Sequence, residues 1–105
     1  MRKARVYMQD KLAGFLTELS NRNTYTFEYI ETYEGLPISL AMPVEQQSFS
    51  FNRFPPFFDG VLPEGMMLEG LLRQLKIDKK DYFAQLLAVG EDLVGAVTVK
   101  PMDDE

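Results

Sequence analysis

Phe57-Phe58-Asp59-Gly60-Val61-Leu62-Pro63-Glu64-Gly65 is where the chain changes its period. Before it, apolar residues mostly alternate, as in strands; after it, they recur every three or four residues, as in helices. The stretch itself reads as a chain-reversing loop that is anchored by two aromatics and opens a helix. Pro63 suits a first helical turn, where its missing N–H costs nothing. Glu64 in that turn favours the positive end of the helix dipole.

Downstream, Met67, Leu68, Leu71, Leu72 and Leu75 mark an amphipathic helix ending near Lys76. Gly70 within it costs about 1 kcal/mol relative to Ala. Met66 and Met67 are adjacent and point about 100° apart. Met67 is therefore expected on the core side with Leu68 and Leu71, and Met66 outward. Asp78 is the expected N-cap of a second helix, with Asp81 three residues on. That helix runs through Tyr82, Phe83, Leu86 and Leu87 and stops at Gly90. Val94 to Val99 reads as a closing strand terminated by Pro101, and it must rejoin the sheet.

Upstream, the reading is an antiparallel meander. Ala4, Val6 and Met8 share one face of a first strand, Asp10-Lys11 turns, and Leu12 to Leu19 returns with Gly14 as a bulge position. Ser20-Asn21-Arg22-Asn23 is a turn by composition. Tyr25, Phe27 and Tyr29 then share one face of the clearest strand in the chain, and Thr24, Thr26 and Glu28 the other. After a polar stretch from Glu31 to Gly35, Ile38 to Met42 alternates and is expected as a short fourth strand ending at Pro43. Val44 to Pro56 is expected to be irregular, because Pro55-Pro56 opposes a regular helix or central strand. Its Phe residues suggest a loop strapped across a core or a partner. The fold expected is α+β: a small, mostly antiparallel sheet of about five strands with two or more helices on one face. Phe27 and Leu86 are expected in its core.

The chain has 105 residues, suited to one domain over residues 1–105 with an acidic tail at 102–105. It has neither cysteine nor histidine, so thiolate chemistry and the commonest general base and metal ligand are absent. No glycine-rich phosphate loop occurs. The carboxylate pairs Asp59/Glu64 and Glu91/Asp92 flank turns and have no helper residue that would make them catalytic. A net charge of −5 opposes direct nucleic-acid binding, which needs clustered Lys and Arg, and favours a partner with a basic surface. No apolar run is long enough to span a membrane. The basic amino end lacks the apolar core of a signal peptide, and a cytoplasmic location is expected.

Three stretches together carry a resemblance: Phe57 to Gly65, then Asp81-Tyr82-Phe83-Ala84-Gln85-Leu86-Leu87, then Gly90-Glu91-Asp92-Leu93-Val94-Gly95-Ala96-Val97. They resemble the amino-terminal subdomain of HipA-type serine/threonine kinase toxins. The pattern there is an aromatic pair, Gly or Asn, Leu-Leu-Pro-Glu-Gly, a Leu-rich helix, a second helix with Phe-x-Leu-Leu, and Gly-x-Asp-x-x-Gly-Ala. Leu36-Pro37-Ile38-Ser39-Leu40-Ala41-Met42-Pro43 is similar to the family's Leu-Ser-Leu-Pro-like strand. The sequence departs from the pattern at Val61, which replaces the usual Leu, and at Met66-Met67, where polar residues are common.

In the full toxins the subdomain precedes a kinase body with the nucleotide loop, the catalytic Asp and the metal-binding residues. None of these occurs in the 105 residues, so the resemblance implies a protein that is not an enzyme and needs no cofactor or metal. A free-standing copy is similar to HipS antitoxins of HipBST toxin–antitoxin systems, in which HipS supplies the subdomain in trans to the HipT kinase and HipB binds DNA. The resemblance implies an antitoxin that inhibits a HipT-like kinase, with a HipB-like DNA-binding protein as a third member. The alternative is a detached amino-terminal piece that completes and activates a split kinase. The expected kinase contact is the braced turn of Asp59, Leu62, Pro63, Glu64, Gly65 and Met66. In it Met66 is the apolar anchor, and Glu64 pairs with a basic residue near the nucleotide loop.

Overall fold

Tyr25, Phe27 and Tyr29 are all buried on one face of β3 (Tyr25–Tyr29), as their alternation requires. The computed structural model describes residues 1–21, 23–63, 65–93 and 96–102. Strands β1 (Arg2–Met8) and β2 (Lys11–Glu18) form a hairpin, and β3 follows as a meander. The strands β4 (Ser48–Phe51) and β5 (Val97–Met102) close the two edges, giving the antiparallel order β4-β3-β2-β1-β5. Three helices follow β4: α1 (Pro56–Gly60), α2 (Gly65–Leu75) and α3 (Tyr82–Val89). The α+β class and the five-stranded antiparallel sheet agree with the sequence reading.

One face of the sheet carries the core. Ala4 and Val6, Leu16, Phe27 and Val99 are fully buried there. Phe58 of α1, with Phe83 and Leu86 of α3, is fully buried in the same core. The other face, with Lys3, Arg5, Tyr7, Phe15, Thr26 and Lys100, holds no buried residue.

Several boundaries differ from expectation, each for a physical reason. β1 begins at Arg2, and the turn is Gln9-Asp10 rather than Asp10-Lys11. Both turn residues have positive φ, 50° and 68°, the geometry of a two-residue primed turn that matches strand twist. The register slips opposite Val6/Tyr7, leaving Ala13 as the extra residue beside Gly14. Gly14 itself is required by proximity, since a Cβ there would lie 2.2 Å from the Glu28 carbonyl oxygen.

Ile38 to Met42 is not a strand. Its backbone groups are already engaged: the Ile38 N–H donates to Tyr29 Oη at 3.0 Å, and the Met42 N–H to the Ser39 carbonyl at 3.0 Å. Tyr29 Oη in turn donates to the Met42 carbonyl at 2.6 Å. The resulting tight turn pushes Leu40 out to 96% exposure, while Ile38 and Met42 stay buried. The fourth strand is instead Ser48–Phe51, inside the segment expected to be irregular, with Phe49 and Phe51 half-buried on the covered face. Pro56 does not prevent a helix either; it opens α1.

The second helix also starts later than expected. The N-cap of α3 is Asp81, whose carboxylate accepts from the Ala84 N–H at 3.2 Å; Asp78 instead accepts from the Lys80 N–H at 2.8 Å in the preceding turn. Gly90 ends α3 while staying right-handed, with φ −57°. Its lack of a side chain matters for another reason: a Cβ there would sit 2.0 Å from the Val99 carbonyl oxygen, and Val99 N–H donates to Gly90 O at 2.9 Å. β5 runs on through Pro101 to Met102, which an edge strand tolerates. Val94 and Gly95, at the start of the expected strand, lie outside the described residues.

These contacts separate the glycines. Gly90→Ala should cost about 1–3 kcal/mol by forcing α3 from β5. Gly70→Ala, with nothing within 4 Å of the added methyl, should stabilise by about 0.5–1 kcal/mol. Phe27→Ala and Leu86→Ala, both fully buried, should each cost about 2–5 kcal/mol. Urea unfolding of the four variants checks the ranking.

Candidate functional site

The expected contact residues lie along the passage from α1 to α2, and the structure divides them. Asp59 is exposed on α1, beside an open cleft of about 380 Å³ lined also by Arg53, Phe54, Pro56, Gly60 and Tyr82. Leu62 was expected at an apolar tip, but it is only 8% exposed and belongs to the core cluster. Its N–H donates to the Asp59 carbonyl at 3.3 Å, which folds the chain back under α1. Leu62 thus holds the turn and cannot present a side chain to a partner without leaving the core. Pro63 is half-buried, Gly65 is the first residue of α2, and Glu64 lies outside the described residues. Met66 is 87% exposed.

Met67 corrects the reading of α2. It is 76% exposed rather than turned inward with Leu68 and Leu71. The reason is that α2 adds no buried residue to the core among its described positions: Leu68, Leu71 and Leu72 are only half-buried, and Leu75 is exposed. The helical period marked an apolar stripe correctly, but period alone does not say what covers the stripe. α2 ends in a defined cap. Lys76 takes the left-handed conformation (φ 56°), and the Ile77 N–H donates to the Leu72 carbonyl at 3.1 Å. The passage therefore leads from a buried anchor, Leu62, to two exposed methionines on a helix standing outside the core.

A second polar centre had no signal in the sequence, because its members are far apart in the chain. Arg2 Nε and Nη2 donate to the two Glu18 carboxylate oxygens at 2.7 and 2.9 Å. Arg2 Nη2 also donates to Asp81 Oδ1 at 2.8 Å, and the guanidinium lies 5.2 Å from the centre of the Phe83 ring. Tyr25 Oη donates to Glu18 Oε2 at 3.3 Å. The hydrogen bonds Arg2 donates to Glu18, and then those to Asp81, hold its pKa above the usual value. Burial, reinforced by the Glu18 charge, pushes the Tyr25 phenol up to about 12. This centre ties the sheet to the N-cap of α3. Its carboxylates are both engaged by Arg2, an arrangement suited to holding elements together rather than to proton transfer.

Among the described residues no three His, Cys, Asp or Glu side chains are placed to hold a metal ion, and no helix is long and apolar enough to cross a membrane. Glu91 and Asp92 are exposed on the turn after α3.

Comparison with known proteins gives a consistent pattern. Residues 4–100 match the HipA N-terminal domain family. An uncharacterized protein of Haemophilus influenzae is 32% identical over 100 residues, covering 95% of this chain and 92% of that one. The serine/threonine-protein kinase toxin HipA of Shewanella oneidensis is 28% identical over 98 residues, covering 91% of this chain but 22% of the kinase. A solved N-terminal domain of HipA toxin superposes with a TM-score of 0.78 at 28% identity, covering 100% of this chain and 96% of that one.

The buried phenol supplies a pH test of the polar centre. Its pKa is raised from 10.0 to about 12 in the folded protein, so the folded state holds the proton more tightly than the unfolded state. The associated stability is complete below pH 10 and is lost as pH rises towards 12. Thermal melts of the parent and Tyr25→Phe across that interval should show the parent losing more stability than the variant. Equal losses would mean that Tyr25 does not titrate in this way.

Proposed function

We propose that this chain, which belongs to the HipA N-terminal domain family, is a non-catalytic antitoxin that binds and inhibits a HipA- or HipT-like serine/threonine kinase toxin in trans. The observation that supports this reading best is the pair Met66 and Met67 at the start of a helix outside the core, 87% and 76% exposed. Isolated apolar residues on a surface need no explanation, but this pair continues into the half-buried stripe of Leu68, Leu71 and Leu72. In the Shewanella kinase the matching region is 22% of a longer chain, so a domain of this kind has the rest of a kinase as its neighbour.

The contact then has a physical division of labour. Leu62 anchors the turn in the core and Pro63 restricts it, so little ordering entropy is lost on docking. Met66 enters the kinase near its nucleotide loop as an adaptable apolar anchor. Glu64 pairs with a basic residue there, Asp59 lies at the rim, and Gly65 lets the helix start close to the partner backbone. The net charge of −5 suits a basic nucleotide-binding cleft and opposes a direct DNA contact, which in this reading falls to a HipB-like third member. Such a complex would work in the cytoplasm. The same surface also fits the alternative of a piece that completes a split kinase; the two differ in the sign of the effect on kinase activity.

Co-expression with the partner kinase, scored by growth, autophosphorylation and co-purification, tests both. Neutralised toxicity with lowered autophosphorylation is expected; restored activity would select the alternative. Met66→Asp should fold normally and bind the kinase roughly thirtyfold more weakly, the scale of losing one interface anchor. Leu40→Asp, at a 96% exposed position on a different turn, should neutralise as the parent does. A folded Met66→Asp protein that neutralises at the parent dose would remove Met66 from the mechanism.

A further inference from the structure

The two edges of the sheet are unequal. The β5 edge carries Lys100 and Pro101, residues that discourage pairing with another strand. The β4 edge, Ser48-Phe49-Ser50-Phe51, has neither charge nor proline, and among the described residues no strand pairs with its outer side. Which backbone groups face outward follows from the ladder. The Tyr29 N–H donates to the Gln47 carbonyl at 2.9 Å, so by alternation Phe49 and Phe51 bond to β3. Ser48 and Ser50 therefore direct their N–H and C=O groups to the free edge, and both residues are exposed. On that side the Gln46 side-chain amide donates to the Ser48 carbonyl at a long 3.4 Å.

We propose that β4 pairs antiparallel with β4 of a second copy of this chain, joining two five-stranded sheets edge to edge. The charges flanking the strand select this occupant. Glu45 precedes it, Arg53 follows it, both are exposed, and neither forms an ion pair among the described residues. In the two-fold register that places Ser48 opposite Ser50 of the second copy, Phe49 faces its own counterpart; Glu45, in the one-turn 3-10 helix Val44–Gln46 before the strand, and Arg53, in the bend after it, then come from different chains to the same end of the joined strands. The edge is thus complementary to itself in hydrogen bonding, in apolar contact and in charge. Gln47, with φ 68°, ends the strand, so the ladder is short and the dimer is weak and concentration-dependent.

Sedimentation equilibrium at about 0.15 M salt, where long-range repulsion between the acidic copies is screened, tests the pairing. The weight-average mass should rise with concentration from 12.1 kDa towards twice that value. Ser50→Pro removes an outward N–H without touching the β3 ladder; it should melt like the parent and stay at 12.1 kDa. Glu45→Arg and Arg53→Glu alone should each weaken association roughly tenfold, and the double exchange should restore it. These charge variants leave the strand backbone intact, so they decide the matter even if the proline variant unfolds. A mass that stays constant for the parent, a folded Ser50→Pro protein that still dimerises, or a double exchange that restores nothing would each overturn the proposal.

Discussion

The ring of Phe27 meets Tyr29 edge-on at 4.9 Å and Phe58 at 6.1 Å, and this contact fixes α1 to β3, next to the β4 edge of the sheet. The course of the chain from α1 to α2 follows from it. With Phe58 buried, α1 must lie against the covered face, and the chain leaving it must bury Leu62. That in turn sets where Pro63 points and where α2 begins. Met66 is exposed because the residue that could have gone inward, Leu62, already has. The exposed turn at this point is thus built from the core outward, by packing.

The Arg2 centre contributes something different. Buried ion clusters often add little net stability, because desolvation offsets the attraction. They do penalise wrong arrangements, since any other packing leaves a charge unpaired. Here one guanidinium reads two carboxylates from two elements, and one of those carboxylates also caps α3. The orientation of α3 against the sheet is specified at the same point where its first turn is stabilised.

What was legible in the sequence was local and periodic. Tyr25, Phe27 and Tyr29 announced β3 because a half-buried strand has only one way to distribute its side chains. The helix through Phe83 and Leu86 was equally readable. Choices between equivalent local signals were not. Ile38 to Met42 and Ser48 to Phe51 both alternate; the Ile38 N–H is taken by the Tyr29 hydroxyl, and it is Ser48 to Phe51 that pairs with β3. Asp78 and Asp81 are both capable caps, and the one used is also held by Arg2, 79 residues away, a contact with no local signal. At the site, Met66 was readable as outward, whereas Met67 and Leu62 depended on which helix reaches the core.

The pairing of β5 with β1 carries a consequence for how the molecule comes into being. Lys3 lies opposite Met102 and Met8 opposite Val97, so the first strand waits for the last. Contacts of such separation are slow to form, because a long loop must close before any of them is made. On the ribosome the meander of β1, β2 and β3 can assemble early, but the outer side of β1 stays unpaired until β5 has been synthesised. During that interval the nascent chain exposes an open strand beside Ala4 and Val6, residues that end up wholly covered. Until β5 arrives, that edge is open to proteolysis and to pairing with other chains.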